Sequence, residues 1–302
     1  MKVTILGNNS AIPAHGRNPS AQIVEVKDHL LLLDCGEGTQ MQFIKYGIKR
    51  SKIQHICISH LHGDHYFGLI GLINSLGLLG RTDPLHIYCP EKLPAIIQLQ
   101  LDACGSMMPY EIIFHTISDE GEYKLIVDTP SYSISCFPVD HRIPTHGFLV
   151  REKSSGRKIV PEACREYQIP QSFYYRLKQG EDYLRKDGTL VQNEWVTESG
   201  KPDKVYAYCA DTRYTESFAD YIRGADMVYH ESTYLDAEND LANMRYHSTA
   251  KQAAQLALVA EIKQLLLGHY SSRYKNIEEF EAEAKTVFVN TRATFEGMSI
   301  EL

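Results

Sequence analysis

The chain has 302 residues, of which 43% are hydrophobic and 23% charged, as in an ordinary globular protein built as one α/β domain. No stretch reaches the roughly 18 uninterrupted apolar residues of a membrane-spanning helix, and the first residues lack a signal-peptide run, so no membrane association is predicted. The net charge of −7 argues against a broad nucleic-acid-binding surface, and seven scattered cysteines without a CxxC pair favour a reducing cytoplasm over a disulfide framework.

The first half of the chain alternates strand-like and helix-like runs. Period-two or β-branched runs predict strands at 1–6, 22–26, 29–33, 53–59, 85–89, 111–117, 123–127 and 131–139. Helical periodicity predicts helices at 37–46, 65–79 and 93–104, of which the first two stop at Gly47 and Gly80.

The second half contains a polar segment between two regular regions. Residues 151–204 hold 11 basic and 9 acidic residues and show no clear period, which predicts an inserted arm with one or two short helices. Beyond it, strands are predicted at 205–209, 227–231 and 264–267, and helices at 215–223, 249–261 and 277–289. Two strand-rich halves, each followed by helices, predict a four-layer αββα sandwich that forms a single domain over 1–302.

The most specific motif is a cluster of metal-ligand side chains at residues 59–65, which read Ser-His-Leu-His-Gly-Asp-His directly after an apolar strand. In extended backbone, residues i and i+2 point the same way, so His60 and His62 can share one metal ion. Gly63 allows the chain to turn, after which Asp64 and His65 begin a helix and can face a second metal ion. Imidazole and carboxylate groups are ordinary zinc ligands, so the pattern predicts a metal centre.

The HxHxDH pattern is the fingerprint of the metallo-β-lactamase superfamily, and the chain is identified as a member by this resemblance. The resemblance implies three more ligands at strand ends, with candidates His141, Asp211 and His269. One metal ion would take His60, His62 and His141, the other Asp64, His65 and His269, with Asp211 bridging them. The implied cofactor is two zinc ions per subunit, or manganese or a similar ion. Two adjacent cations can activate water and clamp both oxygens of a phosphodiester transition state.

Two acidic residues receive further roles at this stage. Asp64 is expected to orient the attacking water and relay its proton. Asp34, in the sequence Leu-Asp-Cys-Gly-Glu-Gly, matches another motif of the superfamily. It is expected to accept a hydrogen bond from a ligand histidine, or to begin a turn before Gly36; the two interpretations are compatible.

Further features resemble the ribonuclease Z family over nearly the whole chain. The loop at 8–21 resembles that family's N-terminal loop near the cleavage site, with Arg17 as a possible phosphate contact and His15 where the family usually has lysine. The alternative is an ordinary polar loop.

The sequences His-Glu-Ser-Thr at 230–233 and His-Ser-Thr at 247–249 resemble two more motifs of this family. His247 is interpreted as the proton donor to the leaving 3′-oxygen, with Glu231 orienting it, although either residue can be purely structural. Ser248 or Thr249 is expected to cap the following helix, whose start can also hold a phosphate oxygen.

The inserted arm lies between His141 and Asp211, where the family carries an arm that grips tRNA. Aromatic residues alternate there with Arg176 and Lys178, a pattern that can bind phosphates and stack on bases. The alternative is an amphipathic helix that buries its tyrosines. The Gly-Pro pair that is frequent in the family's arm is replaced by Ile-Pro-Gln-Ser at 169–172. The resemblance implies a homodimer in which the arm of one subunit serves the active site of the other.

The resemblance therefore implies a zinc-dependent endoribonuclease that removes the 3′ trailer from precursor tRNA and leaves a 3′-hydroxyl on the tRNA. A small-molecule phosphodiesterase or arylsulfatase of the same fold is the alternative. A third hypothesis is an RNA-binding module with a structural metal, although structural zinc sites are closed four-ligand cages.

Overall fold

A computed structural model describes residues 1–118, 121–154 and 156–302. Its framework is a pair of seven-stranded sheets. The strands of the first sheet, in spatial order, are Ser299–Glu301, Lys2–Gly7, Ala21–Val26, His29–Leu33, Ile53–Cys57, Leu85–Pro90 and Ile112–Ile117. The strands of the second sheet are Thr291–Ala293, Leu265–Gly268, Met227–Glu231, Lys204–Cys209, His146–Glu152, Tyr132–Pro138 and Lys124–Asp128.

Both sheets mix antiparallel and parallel pairs, and the parallel part of each sheet lies toward the metal-ligand motifs. In the first sheet, the strands from His29–Leu33 to Ile112–Ile117 are parallel. In the second sheet, the strands from Lys204–Cys209 to Thr291–Ala293 are parallel. Parallel strands need crossover connections, and their carboxyl ends meet at one edge of the sheet. The loops that follow these strands are therefore collected at one edge.

Helices cover the outer faces of the two sheets, and three short helices between 161 and 196 belong to the insert. The α-helices are Thr39–Lys45, Gly63–Tyr66, Leu69–Leu78, Leu93–Ala103, Pro161–Glu166, Tyr174–Lys178, Asn193–Val196, Ala219–Ile222, Asn239–Met244, Ala250–Val259 and Glu278–Lys285. Single 3-10 turns lie at Arg50–Lys52, Gln171–Phe173 and Asp236–Glu238. Within the part of the chain that is described, none of these helices has the length and apolar character needed to cross a bilayer.

Three buried hydrophobic clusters separate four layers. The central cluster comes from the facing surfaces of the two sheets and includes Leu31, Tyr208 and Leu266. A second cluster joins the first sheet to its helices, and a third joins the second sheet to its helices, where alanines such as Ala254 allow close approach. Alternate residues of each strand face opposite sides, so both faces of each sheet are buried. This is the αββα arrangement expected from the sequence.

The polar insert has a small core of its own. Cys164, Ile169, Leu177, Val191 and Val196 are buried together there. Two short antiparallel strand pairs frame this cluster, Lys158–Ile159 with Thr197–Glu198 and Tyr183–Leu184 with Leu190–Val191. The first two residues of the predicted insert, 151 and 152, are the end of a sheet strand instead.

Several predicted elements differ from the observed ones. The helix predicted at 65–79 is two helices, and the break falls at Gly68, whose amide donates to the Cys35 carbonyl at 2.9 Å; an added Cβ there would meet the carbonyl oxygen of Gly36 at 2.2 Å. The helix predicted at 215–223 is a single turn, Ala219–Ile222. Strand His146–Glu152 was not predicted, nor were two short edge strands and helix Asn239–Met244. Tertiary contacts decide such elements more than their local sequence does.

Candidate metal centre

All seven predicted metal ligands meet at the edge where the parallel strands end. Each ligand lies in the segment that follows a strand, and each brings a ring nitrogen or a carboxylate oxygen into one of two groups. The first group is His60, His62, His141 and Asp211; the second is Asp64, His65, Asp211 and His269. Within each group the ligand atoms lie within 4.8 Å of one another. Residues up to 209 positions apart in the sequence are therefore neighbours, as expected from the strand-end positions.

The first group is an arrangement of three imidazoles around one carboxylate. His62 Nδ1 lies 3.0 Å from His60 Nε2 and 3.2 Å from His141 Nε2. Asp211 Oδ2 lies 3.6 Å from the same His60 nitrogen and 3.9 Å from the His141 nitrogen. These are distances at which several ligand atoms can surround one cation.

The second group uses the other oxygen of the same aspartate. Asp211 Oδ1 lies 3.3 Å from His65 Nε2 and 3.1 Å from His269 Nε2. Asp64 Oδ2 lies 3.5 Å and 3.4 Å from these two nitrogens. Because its two oxygens face different groups, Asp211 is placed to bridge two cations.

Hydrogen bonds fix the proton positions on two of the histidines. Asp34 Oδ2 accepts a hydrogen bond from His65 Nδ1 at 2.7 Å, so the proton of this imidazole is on Nδ1 and Nε2 keeps a lone pair. The Ser59 hydroxyl donates to the same Asp34 oxygen at 2.8 Å, and its oxygen can then only accept from His60 Nδ1 at 3.0 Å. The Nε2 atoms of His60 and His65 are therefore both free to bind a metal ion.

The two histidines from the second sheet are held in the same way. The Tyr246 carbonyl oxygen accepts from His141 Nδ1 at 2.9 Å. The Thr233 hydroxyl donates to Glu231 at 2.8 Å and accepts from His269 Nδ1 at 2.9 Å. Partners of this kind fix the tautomer and ring orientation of metal-binding histidines.

Two atoms at the middle of the centre test whether a cation fits there. His65 Nε2 and Asp211 Oδ1 are buried and have no hydrogen-bond partner within the described parts of the chain. Their lone pairs face each other, which is unfavourable unless positive charge lies between them. Five imidazoles and two carboxylates form a donor set that suits zinc or a similar divalent ion. The residues present therefore fit the metal that the sequence motif implies.

Burial and neighbouring charges shift the pKa values of the buried groups at the centre. Burial lowers the pKa of His65, but the charges of Asp211, Asp64 and Asp34 outweigh it and raise that pKa well above its usual value. Burial raises the pKa of Asp64, yet the charge of His65 and a hydrogen bond from His269 bring it below its usual value. Burial, followed by the charge of His65, lowers the pKa of His60. The three carboxylates thus favour positive charge at His65, whereas burial and the neighbouring imidazole oppose protonation at His60.

Two backbone positions at the centre lie in the left-handed region. Asp34 has φ 56° and His269 has φ 61°. Residues other than glycine adopt such angles rarely, and they do so mainly where the surrounding contacts over-determine them. Asp34 has those contacts, since four hydrogen bonds reach its carboxylate.

Glu231 holds His247, the predicted proton donor. Its carboxylate accepts a hydrogen bond from His247 Nδ1 at 2.9 Å and others from the backbone amides of Thr212, Thr233 and Ser248. Burial lowers the pKa of His247, but the charge and hydrogen bond of Glu231 outweigh it and raise that pKa. The His247 ring lies 5.4 Å from the His269 ring, between centroids, so this pair adjoins the metal centre.

The predicted phosphate contacts at Ser248 and Thr249 require correction. Both residues are fully buried, and Ser248 donates its hydroxyl to the Thr212 carbonyl at 2.7 Å. Thr249 forms a capping box with Gln252 at the start of helix Ala250–Val259, as the capping prediction anticipated. The first three amides of that helix already donate to protein oxygens. No donor is therefore left at this helix start for a phosphate.

The N-terminal loop lies beside the second group of ligands. The Ala11 amide donates to Asp64 Oδ2 at 2.7 Å. Arg17 donates from three nitrogens to the Asn9 side chain and to the carbonyls of Tyr274 and Lys275. A guanidinium has five N–H groups, so two remain for the predicted phosphate contact. Arg17 serves first to tie this loop to the segment that follows His269.

An open cleft leads to the centre. Its volume is about 480 Å³, and its walls include His62, Asp64, Ile12, Phe67 and Arg142. Phe67 is 62% exposed and Ile12 55% exposed, so two apolar side chains flank the ligands at the mouth. A cation and exposed apolar surface beside a metal site can accept a phosphate and an adjacent base.

The arm residues Arg176 and Lys178 lie on the surface of the insert. Arg176 is exposed, pairs with Glu181 at 2.7 Å and lies over the Phe173 ring at 4.6 Å from its centroid. Lys178 is exposed as well, and Tyr175 is 74% exposed. The helix thus buries Leu177 while it presents Tyr175 and both cations to solvent.

Sequence reasoning missed three residues that support the ligands: Ser59, Tyr208 and Thr233. Ser59 and Thr233 lie inside motifs that were recognised, and their hydroxyl groups could have indicated hydrogen-bond partners for the ligand histidines. Tyr208 reaches Asp34 from the other sheet at 2.6 Å. Burial, followed by the charge of Asp34, raises the pKa of Tyr208 well above its usual value, so its hydroxyl keeps the proton that it donates.

Comparison with known proteins agrees with this geometry. Residues 1–132 match the family model of the anti-Pycsar protein Apyc1. Ribonuclease Z of Porphyromonas gingivalis is 41% identical over 99% of this chain and 98% of its own length, and that of Bacteroides fragilis is 39% identical over 99% and 98%.

Among solved structures, human tRNase Z, short form, has a TM-score of 0.72 at 25% identity, covering 100% of this chain and 99% of its own. The Bacillus subtilis metallo-β-lactamase fold protein YhfI has a TM-score of 0.69 at 20% identity, covering 99% of each chain. These likenesses confirm the predicted metallo-β-lactamase fold. The full-length identity near 40% shows that the chain belongs to the ribonuclease Z family.

Proposed function

We propose that this protein is a metal-dependent endoribonuclease that removes the 3′ trailer from precursor tRNA and leaves a 3′-hydroxyl on the tRNA. The observation that carries the proposal is the paired ligand set that shares Asp211, in a chain 41% identical to a ribonuclease Z over nearly its full length. Two adjacent ligand groups suit a phosphodiester, whose attacking and leaving oxygens need charge stabilisation on both sides of phosphorus.

The proposed metal assignment follows the two ligand groups. One ion would be held by His60, His62 and His141, the other by Asp64, His65 and His269, with Asp211 shared. The imidazole-rich donor set favours two zinc ions per subunit, with manganese as a substitute. Such ions, when bound, polarise phosphate oxygens and lower the pKa of water.

The protein's own groups supply the proton transfers. Asp64 lines the cleft, and the Ala11 amide fixes its carboxylate, so it is placed to orient the attacking water and accept its proton. The charge and hydrogen bond of Glu231 raise the pKa of His247 beside the centre, so His247 is placed to give a proton to the leaving 3′-oxygen. Asp34 keeps His65 in the tautomer that can bind metal.

The proposed RNA contacts lie on the insert and at the cleft. Arg176, Lys178 and the exposed Tyr175 form a surface with cations and an aromatic face, which suits the backbone and bases of tRNA. Arg17 keeps two N–H groups for a phosphate near the metal centre.

We propose a homodimer in which this arm holds tRNA for the partner's active site. Seven free cysteine thiols support a cytoplasmic location.

The direct test is cleavage of a 3′-extended tRNA transcript by purified protein with zinc or manganese supplied. We expect a single cut after the discriminator base, and we expect Asp64→Ala to abolish it while the protein stays folded by circular dichroism. Absence of cleavage with either metal would exclude the proposed activity.

A small-molecule phosphodiesterase of the same fold is the second candidate. It is favoured by the pairing of Arg176 with Glu181, which reduces the positive charge of the arm. Replacing residues 153–203 by a short glycine-serine linker separates the two candidates. Hydrolysis of bis(p-nitrophenyl) phosphate should survive in both cases. Cleavage of precursor tRNA should collapse if the arm binds RNA, and unchanged cleavage would contradict the arm's proposed role.

A further inference from the structure

One hydrogen bond joins the two sheets directly beneath the metal centre. Tyr208, in strand Lys204–Cys209 of the second sheet, donates its hydroxyl to Asp34 Oδ2 at 2.6 Å. Asp34 follows strand His29–Leu33 of the first sheet. Tyr208 is 1% exposed and Asp34 is fully buried, so water does not replace this contact.

Through Asp34, the Tyr208 hydroxyl acts on ligands of both groups. The same Oδ2 atom accepts from His65 Nδ1 at 2.7 Å and from the Ser59 hydroxyl at 2.8 Å, and Ser59 in turn holds His60. A third donor on this oxygen fixes the rotation of the carboxylate. It also lowers the carboxylate's attraction for the His65 proton, which therefore stays on Nδ1.

The position of Tyr208 in its strand adds a second link. Asp211, which both ligand groups share, follows three residues later, just after the end of the same strand. The hydrogen bond from Tyr208 to Asp34 of the first sheet therefore fixes the position of Asp211, along the strand direction, relative to His60 and His65. Ligands from one sheet are thereby held in register with those from the other.

We infer that Tyr208 is a positioning residue for metal binding, which acts through Asp34 to align the ligand histidines of the first sheet with Asp211 of the second. This inference rests on the proposed function, because it concerns the same metal centre. Removing a hydrogen-bond partner behind a metal ligand typically weakens metal affinity about 10–100-fold.

The neighbouring Tyr206 provides a matched control. It lies two residues earlier in the same strand, is also fully buried and also donates its hydroxyl across to the first sheet. Its acceptor, however, is the neutral side chain of Gln22, which makes no hydrogen bond to any of the seven predicted metal ligands among the described residues. The two tyrosines therefore share packing and differ in whether their hydroxyl leads to the metal centre.

The experiment compares zinc affinity of wild-type protein, Tyr208→Phe and Tyr206→Phe, measured by competition with a chromogenic zinc chelator. We expect Tyr208→Phe to weaken zinc affinity about 10-fold and Tyr206→Phe to stay within about twofold of wild type. The unfolding midpoint of the metal-free proteins is measured in parallel. Equal affinities for the two variants would overturn the inference, whereas a wild-type protein that binds no zinc would contradict the metal centre itself.

A second background keeps the inference testable if Tyr208→Phe does not fold. Asp34→Asn replaces the buried carboxylate by a neutral amide. Loss of the Tyr208 hydroxyl then no longer leaves a buried charge short of a hydrogen-bond donor. In this background, Tyr208→Phe should cause no further loss of zinc affinity, because the hydroxyl acts through Asp34. A further 10-fold loss in the double variant would show that the hydroxyl acts by another route and would contradict the inference.

Discussion

The metal centre and the inserted arm are built in contrasting ways. The centre has no core of its own: its ligands lie after strands of both sheets, and a buried carboxylate, two hydroxyls and a backbone carbonyl hold their imidazoles. The arm has a small core of five buried residues, and its predicted RNA contacts are exposed side chains on a short helix.

This difference separates the two tasks of the molecule. Chemistry needs ligand atoms held to within fractions of an ångström, which a sandwich of two sheets provides. Recognition of a large substrate tolerates long, mobile cations whose contributions are individually small. Changes at the centre should therefore abolish activity on every substrate, whereas changes in the arm should affect only tRNA.

The largest effect is expected for Asp211→Ala. The side chain contacts both ligand groups, so its loss should exceed the roughly 100-fold effect of an outer partner and remove cleavage of precursor tRNA and of bis(p-nitrophenyl) phosphate alike. Metal content per chain should fall in elemental analysis. Asp128→Ala, at the end of another strand and exposed, is the control that should keep both activities.

A cavity in the arm should uncouple the two regions. Leu177 is fully buried in the arm core, and Leu177→Ala should destabilise that core by about 2–5 kcal/mol. The only tryptophan, Trp195, lies in the arm, so its fluorescence reports arm unfolding while circular dichroism reports the sheets. We expect an earlier fluorescence transition and unchanged zinc affinity. Leu266→Ala, in the central core, should shift both transitions together.

Replacing Glu231 tests the proton donor. Glu231→Gln should lower the rate of precursor tRNA cleavage about 10–100-fold by freeing His247 to rotate. Glu231 raises the pKa of His247, and the protonated donor is lost as pH rises through that pKa. The alkaline limb of the pH–rate profile should therefore move to lower pH in the variant. An unmoved limb would remove His247 from the mechanism.

The smallest effect is expected on the surface of the arm. The double change Arg176→Ala and Lys178→Ala should raise KM for precursor tRNA about threefold to tenfold and leave kcat unchanged, because each exposed cation contributes little. The salt dependence of tRNA binding should become shallower by up to about 2 in slope. The double change Lys158→Ala and Arg165→Ala, elsewhere on the arm, removes the same two positive charges and is the control. A change in bis(p-nitrophenyl) phosphate hydrolysis would contradict the division between the regions.

Much of the site followed from local sequence. The run from His60 to His65 predicts two metal-facing pairs because extended backbone alternates and Gly63 permits a turn. The later ligands were found from their places after predicted strands, with the family resemblance. The phosphate contacts predicted at Ser248 and Thr249 were not found, because burial decides whether a helix start is open to a ligand. That burial depends on neighbours such as Glu283, from a helix distant in the sequence.

The sequence by itself determined the two sheets, the helical layers and the residues able to bind metal, because strand alternation and ligand type are properties of neighbouring residues. Only the tertiary structure decided which hydroxyl faces which carboxylate. Tyr208 and Asp34 are 174 residues apart, and no local period indicates that their strands meet at that height. Such pairings arise from how the two sheets pack, which is a cooperative property of the whole core.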